Sequence, residues 1–127
     1  MSLGFSAGDF FVVGQFAWRI YKECKEAPES FGNLSQEVLS LHALLKEVEE
    51  AYSRQTLSQS QRERLAAVRD GCQSVLEDLQ KVIDQYASLG SQSRRTWDRV
   101  GWSNEQIAEL RARLTSNITL LTAFIRY

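Results

Sequence analysis

Hydrophobic residues recur at alternating steps of three and four along most of this chain. That spacing places their side chains on one face of an α-helix, and it predicts four helices that bury their apolar stripes in a common core. The stripes are, in chain order, Phe10, Val13, Phe16, Ala17, Ile20 and Cys24; Phe31, Leu34, Val38, Leu41, Leu45, Val48 and Tyr52; Leu65, Val68, Cys72, Val75, Leu79, Val82, Tyr86 and Leu89; and Ile107, Leu110, Leu114, Ile118, Leu121 and Ile125.

The boundary between the first two helices is marked by the single proline. Ser6 can cap the first helix, which is expected to run from about Ala7 to Ala27. Pro28 ends it, because the residue before a proline is biased away from helical geometry. The same proline can occupy the first position of the second helix, which is therefore expected to start there.

A polar segment, residues 54–61, separates the second and third helices. Ser58 or Ser60 can cap the third helix, and Gln61 or Glu63, three residues later, can complete a capping box. Because this connection is short, helices two and three are expected to form an antiparallel hairpin.

The fourth helix has the clearest start in the chain. Ser103 can cap it, Gln106 follows three residues later, and Trp102 can pack forward on Ile107. Neither proline nor glycine ends this helix. We therefore expect a longer natural protein that continues beyond Tyr127.

Sustained three-four spacing also suits an extended coiled coil. The interruptions in the pattern favour helices that fold back on one another instead. The longest interruption, residues 89–103, is expected to be a loop holding one helical turn around Trp97. The predicted fold class is all-α, an up-down four-helix bundle with long helices, in a single domain spanning residues 1–127.

Composition narrows the function classes. The 127 residues fit one domain, and 15 basic and 16 acidic residues give a net charge of −1, so no bulk positive field would recruit nucleic acid. Arg94, Arg95 and Arg99 surround Trp97, but Asp98 lies among them, and solvated or paired arginines are expected. One histidine and two cysteines are too few for a structural zinc site, and no metal or cofactor is expected.

Side chains suited to catalysis are scarce. His42 lies beside the second stripe and is interpreted as a structural residue, with a pH-sensitive role as the alternative. Neighbouring acids such as Glu49 and Glu50 point about 100° apart on a helix and do not converge on a substrate. No glycine-rich phosphate loop follows a strand. A non-enzymatic protein is expected.

The N-terminus lacks the basic leader and long apolar run of a secretory signal. Cys24 and Cys72 fall on apolar helix faces, where a free thiol behaves as a small hydrophobe. We therefore expect a cytoplasmic protein in a reducing compartment.

The first helix carries more apolar side chains than docking on a bundle requires. Phe11, Val12 and Trp18 lie outside its stripe. In one interpretation the helix is central and these residues belong to the core. In the other they face a partner subunit, a neighbouring domain or a bilayer after a rearrangement, since burying each contributes roughly 1.5–3 kcal/mol. Several copies in a ring would turn the polar positions of the helix toward water.

Three segments carry a resemblance to a known family: "GFSAGDF" at 4–10, "SQEVLSLHALLKEVEE" at 35–50 and "WDRVGWSNEQIAELRARLTSNITLLTAF" at 97–124. Together they resemble the N-terminal helical domain of fungal NOD-like receptors, the STAND-type NTPases. Trp97, Arg99 and Trp102 are the most specific positions. That family is similar to the HeLo-like cell-death domains and, more distantly, to the coiled-coil domains of plant immune receptors.

The resemblance implies a four-helix effector domain at the front of a longer receptor, followed by a nucleotide-binding oligomerisation module. It also implies an output of programmed cell death, as in heterokaryon incompatibility: the receptor oligomerises, the helical domains cluster and the first helix attacks the plasma membrane. The stretch "LEDLQKVID" at 76–84 is similar to an acidic motif of the plant domains. This likeness implies that Glu77, Asp78 and Asp84 contact a downstream receptor domain.

The expected function is therefore a signalling domain that acts by self-association and exposure of a membrane-active first helix. Its expected partners are further copies, downstream receptor domains of the same chain and plasma membrane lipids, with no nucleic acid. The alternative is a homotypic adaptor domain that recruits a separate effector without membrane contact. The candidate membrane or oligomer interface consists of Phe10, Phe11, Val12, Phe16 and Trp18.

Overall fold

The computed structural model of the chain describes residues 7–25, 32–87 and 102–126, which are helical apart from the connection at 53–58. The helices are α1 (Ala7–Lys25), α2 (Gly32–Tyr52), α3 (Gln59–Ala87) and α4 (Trp102–Arg126). For the residues that the structure describes, the prediction of an all-α fold with four long helices is confirmed. The expected cap at Ser6, the helix start at Pro28 and the turn around Trp97 lie outside the described residues, as do the side chains of 102–104.

The start of α3 is held by a reciprocal pair of hydrogen bonds. The backbone N–H of Ser58 donates to Oε1 of Gln61 over 2.9 Å, and the N–H of Gln61 donates to Oγ of Ser58 over 3.1 Å. These bonds satisfy amide groups that have no partner within the first helical turn. Of the predicted alternatives, the structure selects Ser58 with Gln61.

The core follows the predicted stripes closely. Every stripe residue whose side chain is described is buried or half-buried. Leu76 and Ile83 of α3 are buried as well, although they lie one residue past the predicted stripe. They widen the apolar face of α3, so this helix can pack against two neighbours at once.

Helix neighbours differ from the expected order. α1 packs against α2 and α3, and α4 packs against the same two helices, so α2 and α3 lie diagonally across the bundle. The predicted direct pairing of helices two and three as a hairpin is wrong. The widened face of α3 explains the difference, because it fits between α1 and α4 while the connection at 53–58 spans the diagonal.

Helix directions follow from polar pairs near opposite ends of the bundle. The contacts between α1 and α3 join residues that follow the same order along both helices, and so do the contacts between α2 and α4. The two helices of each pair are therefore parallel. The pairs are Asp9 with Arg69, Glu23 with Gln80, Glu37 with Arg111, and Tyr52 with Phe124.

Candidate functional site

The exposed side of α1 is the most apolar helix surface among the described residues. Phe11, Val12 and Trp18 are 50%, 62% and 42% exposed. The interpretation that they are core residues of a central helix is wrong for this structure. They lie outside the core because α1 presents its stripe to α2 and α3 and turns the opposite side outward. We call Phe11, Val12, Trp18 and the basic residues described next the α1 face.

The basic and acidic side chains of α1 lie on different sides of the helix. Its exposed charged side chains between residues 8 and 25 are all cationic: Arg19, Lys22 and Lys25. Its two acids face α3 instead. Asp9 accepts a hydrogen bond from Nη1 of Arg69 over 2.8 Å, and Glu23 accepts one from Nε2 of Gln80 over 3.0 Å. The α1 face therefore combines large apolar side chains with positive charge.

Trp18 is held in place although it is partly exposed. Its ring centroid lies 5.3 Å from that of Tyr21 and 5.2 Å from that of His42, both in tilted arrangements. Nδ1 of His42 lies 2.8 Å from the carbonyl oxygen of Gly14, to which it donates. His42 thus links α2 to α1 and supports the indole, in agreement with its interpretation as a structural residue.

Two members of the expected interface lie elsewhere. Phe10 is fully buried in the core, so it can meet a partner only if α1 leaves the bundle. Phe16 is half-buried, and the Arg19 guanidinium lies 4.8 Å from its ring centroid. In the described state, the accessible interface therefore consists of Phe11, Val12 and Trp18.

The acidic candidates on α3 separate into two kinds. Asp78 is paired with Arg113 of α4, with 2.7 Å between Oδ2 and Nη1. Glu77 and Asp84 are exposed. Asp70, seven residues before Glu77, is exposed on the same side of the helix; sequence inspection missed it, although the seven-residue spacing was the available signal. Asp70, Glu77 and Asp84 form the α3 acidic stripe.

A second apolar surface, a groove of about 460 Å³, lies between α3 and α4 beside the end of α2. Leu120 in this groove is 46% exposed. Sequence analysis did not identify the groove, because its lining residues come from three helices and several of them lie outside the apolar stripes. The exposed leucine on α4 was its only local signal.

The thiols and the acids of the described residues offer little chemistry. Burial raises the pKa of Cys24 and of Cys72 to about 12, so both remain protonated and weakly nucleophilic. Within the described helices, no three His, Cys, Asp or Glu side chains are grouped as a metal site would require. None of those helices combines the length and apolar content of a membrane span.

Comparison with known proteins adds no family: no family model, curated protein or solved structure matches the chain.

Proposed function

We propose that this chain is a non-enzymatic signalling domain whose output surface is the α1 face. In this proposal it is the N-terminal cell-death effector domain of a receptor like the fungal NOD-like receptors. It acts in the cytoplasm by self-association and, on activation, by binding the plasma membrane. The observation that carries the proposal is the joint exposure of Phe11, Val12 and Trp18 with three cationic side chains on one helix.

This surface has the two properties that favour binding at an anionic bilayer. Aromatic and aliphatic side chains gain roughly 1.5–3 kcal/mol each when they leave water. Each Lys or Arg near an anionic surface adds about 1 kcal/mol. Both carboxylates of residues 8–25 are bound by α3 side chains, Asp9 by Arg69 and Glu23 by Gln80, and this pairing weakens their opposition to that attraction. Helices of this kind lie in the interface plane.

Self-association is proposed to strengthen the membrane contact. One copy buries three large side chains, whereas a cluster multiplies that contribution without any new contact within a copy. Further exposure of α1 would bring Phe10 and Phe16 into the same surface. The proposed resting arrangement is an up-down bundle, and the parallel course of α1 with α3 and of α2 with α4 supports it.

The α3 acidic stripe is proposed as the contact with downstream receptor domains. Glu77 and Asp84 are exposed and carry this role, while Asp78 stabilises the packing of α3 on α4 through Arg113. Partner recognition by Glu77 and Asp84 would not require α1 to move, although Glu77 lies beside Val12 and Arg19 of the α1 face.

A protein partner is the second candidate occupant of the α1 face. The observation that favours it is the fixed position of Trp18 between Tyr21 and His42. A rigid tryptophan loses little conformational entropy on binding and is enriched at the energetic centres of protein interfaces. In that case the chain is a homotypic adaptor that recruits a separate effector.

The test is vesicle co-sedimentation with dye leakage, using phosphatidylcholine vesicles with and without phosphatidylserine. The chain is tested alone and fused to a module that forces oligomers, both as wild type and with Phe11, Val12 and Trp18 changed to alanine. Leu120→Ala is the matched control, since it removes a comparably exposed side chain from another helix. Circular dichroism establishes that each variant is helical.

The proposal expects binding to the anionic vesicles and leakage that is strongest for the oligomeric fusion. The triple variant should lose both, and the control variant should keep both. Membrane action is refuted if the folded triple variant binds and leaks like the wild type, or if neither form of the wild type binds. Self-association abolished by the triple variant, without vesicle binding, would establish the adaptor in its place.

A further inference from the structure

The groove between α3 and α4 is separate from the α1 face. Its apolar wall is formed by Ala67 and Val68 of α3 together with Leu120, Ala123 and Phe124 of α4. Two of these residues are alanines on facing helices, and their small side chains leave the space open. The volume of about 460 Å³ falls in the range of small-molecule sites, roughly 300–1,000 Å³.

Three polar side chains line the same groove, and two of them are already engaged. The Tyr52 hydroxyl donates to the carbonyl oxygen of Phe124 over 2.9 Å, and Oε1 of Gln61 accepts the Ser58 amide in the capping box. The third is Arg64, whose guanidinium lies 5.7 Å from the ring centroid of Phe124. Across the described parts of the chain, Arg64 has no carboxylate within ion-pair distance.

This arrangement defines the chemistry of a matching ligand. The apolar walls favour a hydrocarbon body, because burying it removes its surface from water. The guanidinium at the rim has no carboxylate partner among the described residues and favours one anionic group, and a carboxylate matches its fork of N–H donors. We propose that this groove binds a fatty carboxylate, with the acyl chain along Ala67, Leu120 and Ala123 and the carboxylate on Arg64.

The charge requirement is tested by fluorescence titration of the full chain with dansylaminoundecanoic acid and with its methyl ester. The acid should bind saturably, and the ester should bind about tenfold more weakly because it offers Arg64 no charge. Arg64→Gln should weaken the acid by the same factor and leave the ester unchanged. Arg62→Gln is the matched control, since Arg62 is exposed on the same helix and does not line the groove.

The groove itself is tested by filling it. Ala67→Phe should abolish saturable binding of the acid, whereas Ala108→Phe, an exposed alanine on α4 outside the groove, should leave it unchanged. Helical content by circular dichroism and a cooperative urea unfolding transition show that each variant is folded. Absence of saturable binding by the wild type overturns the proposal. It is also overturned if Ala67→Phe or Arg64→Gln binds the acid as tightly as the wild type does. Dimerisation that Ala67→Phe removes overturns it too, since the occupant is then a second copy of this chain.

Discussion

Nδ1 of His42 on α2 donates to the carbonyl oxygen of Gly14 on α1 across 2.8 Å. The same imidazole lies 5.2 Å, between ring centroids, from the indole of Trp18 one helical turn further along α1. Packing between α1 and α2 is thus coupled to the position of an aromatic residue on the α1 face. A change at His42 should therefore affect both bundle stability and the output surface.

His42→Ala is expected to lower the free energy of unfolding by about 1–2 kcal/mol, because it removes one hydrogen bond and one ring contact. His42→Asn should recover part of this loss, since its amide can donate toward the Gly14 carbonyl, but it cannot restore the contact with Trp18. Urea denaturation followed by circular dichroism measures the difference. Equal stability of wild type and His42→Ala would show that the bond contributes nothing.

The ion pair between Asp9 and Arg69 ties the beginning of α1 to α3. Its side chains are 37% and 25% exposed, so solvent screens the pair and its contribution to stability should be about 0.5–1 kcal/mol. Asp9→Asn should lower the free energy of unfolding by this amount. It should also increase vesicle binding, because α1 is then less firmly attached to α3, and the variant also loses one negative charge.

The matched control for that change is Asp70→Asn, which removes an exposed acid that also contacts Arg69 but lies on α3 itself. This control should leave vesicle binding unchanged. If Asp9→Asn and Asp70→Asn increase binding equally, the effect is one of net charge, and the attachment of α1 to α3 is not involved.

Two helical glycines differ in the space available for an added side chain. A Cβ at Gly14 would lie 3.8 Å from Cβ of Leu45, an ordinary contact, whereas a Cβ at Gly71 would lie 2.9 Å from Oδ1 of Asn117. Gly14→Ala should therefore raise the free energy of unfolding by about 0.5–1 kcal/mol, the usual gain in helix propensity. Gly71→Ala should gain less, because Asn117 must shift and weaken its bond to the Arg113 carbonyl.

Combining Gly71→Ala with Asn117→Ala tests the cause of that difference. The contact is then absent, so the gain from Gly71→Ala measured in the Asn117→Ala background should return to about that of Gly14→Ala. Thermal denaturation of the wild type, the two single variants and the double variant is sufficient. A Gly71→Ala gain that is the same in both backgrounds would mean that Asn117 does not limit it.

The buried thiols predict a loss of stability at high pH. The pKa of Cys72 is raised from 9.0 to about 12 by burial, so the folded state holds its proton after the unfolded state has released it. The stabilisation from the protonated thiol is fully present below pH 9.0 and is lost as the pH rises toward about 12. The difference in unfolding free energy between wild type and Cys72→Ala should be constant below the lower value and should shrink above it.

Helix positions were predictable from sequence because the three-four spacing is a local property. The stripes of α2 and α4 follow from the helical period alone. The capping box at Ser58 is equally local, since both of its bonds join residues three apart. These features require no knowledge of what each helix packs against.

Neighbour relationships were not predictable in the same way. Leu76 and Ile83 widen the apolar face of α3, but a sequence does not show which helix will pack against these two residues. The orientation of the charged side chains of α1 could not be predicted either. Glu23 and Lys22 are adjacent in sequence, and only the contact of Glu23 with Gln80 shows that the acid is turned inward while the lysine is exposed.

The inward position of the α1 acids leads to a prediction about salt. Changing Arg19, Lys22 and Lys25 to glutamine should weaken binding to vesicles that contain phosphatidylserine and should leave the weak binding to pure phosphatidylcholine unchanged. Three charges near an anionic surface together contribute about 3 kcal/mol at low salt, or a factor of about 100 in binding.

Added salt should reduce wild-type binding steeply, since the Debye length falls from about 30 Å at 0.01 M to about 10 Å at 0.1 M. The glutamine variant should show almost no salt dependence. Glutamine at Arg54, Arg62 and Lys81, exposed cations outside α1 and outside the groove, is the matched control and removes the same net charge. An equal loss in both variants would mean that total charge drives binding and that the α1 face is not its origin.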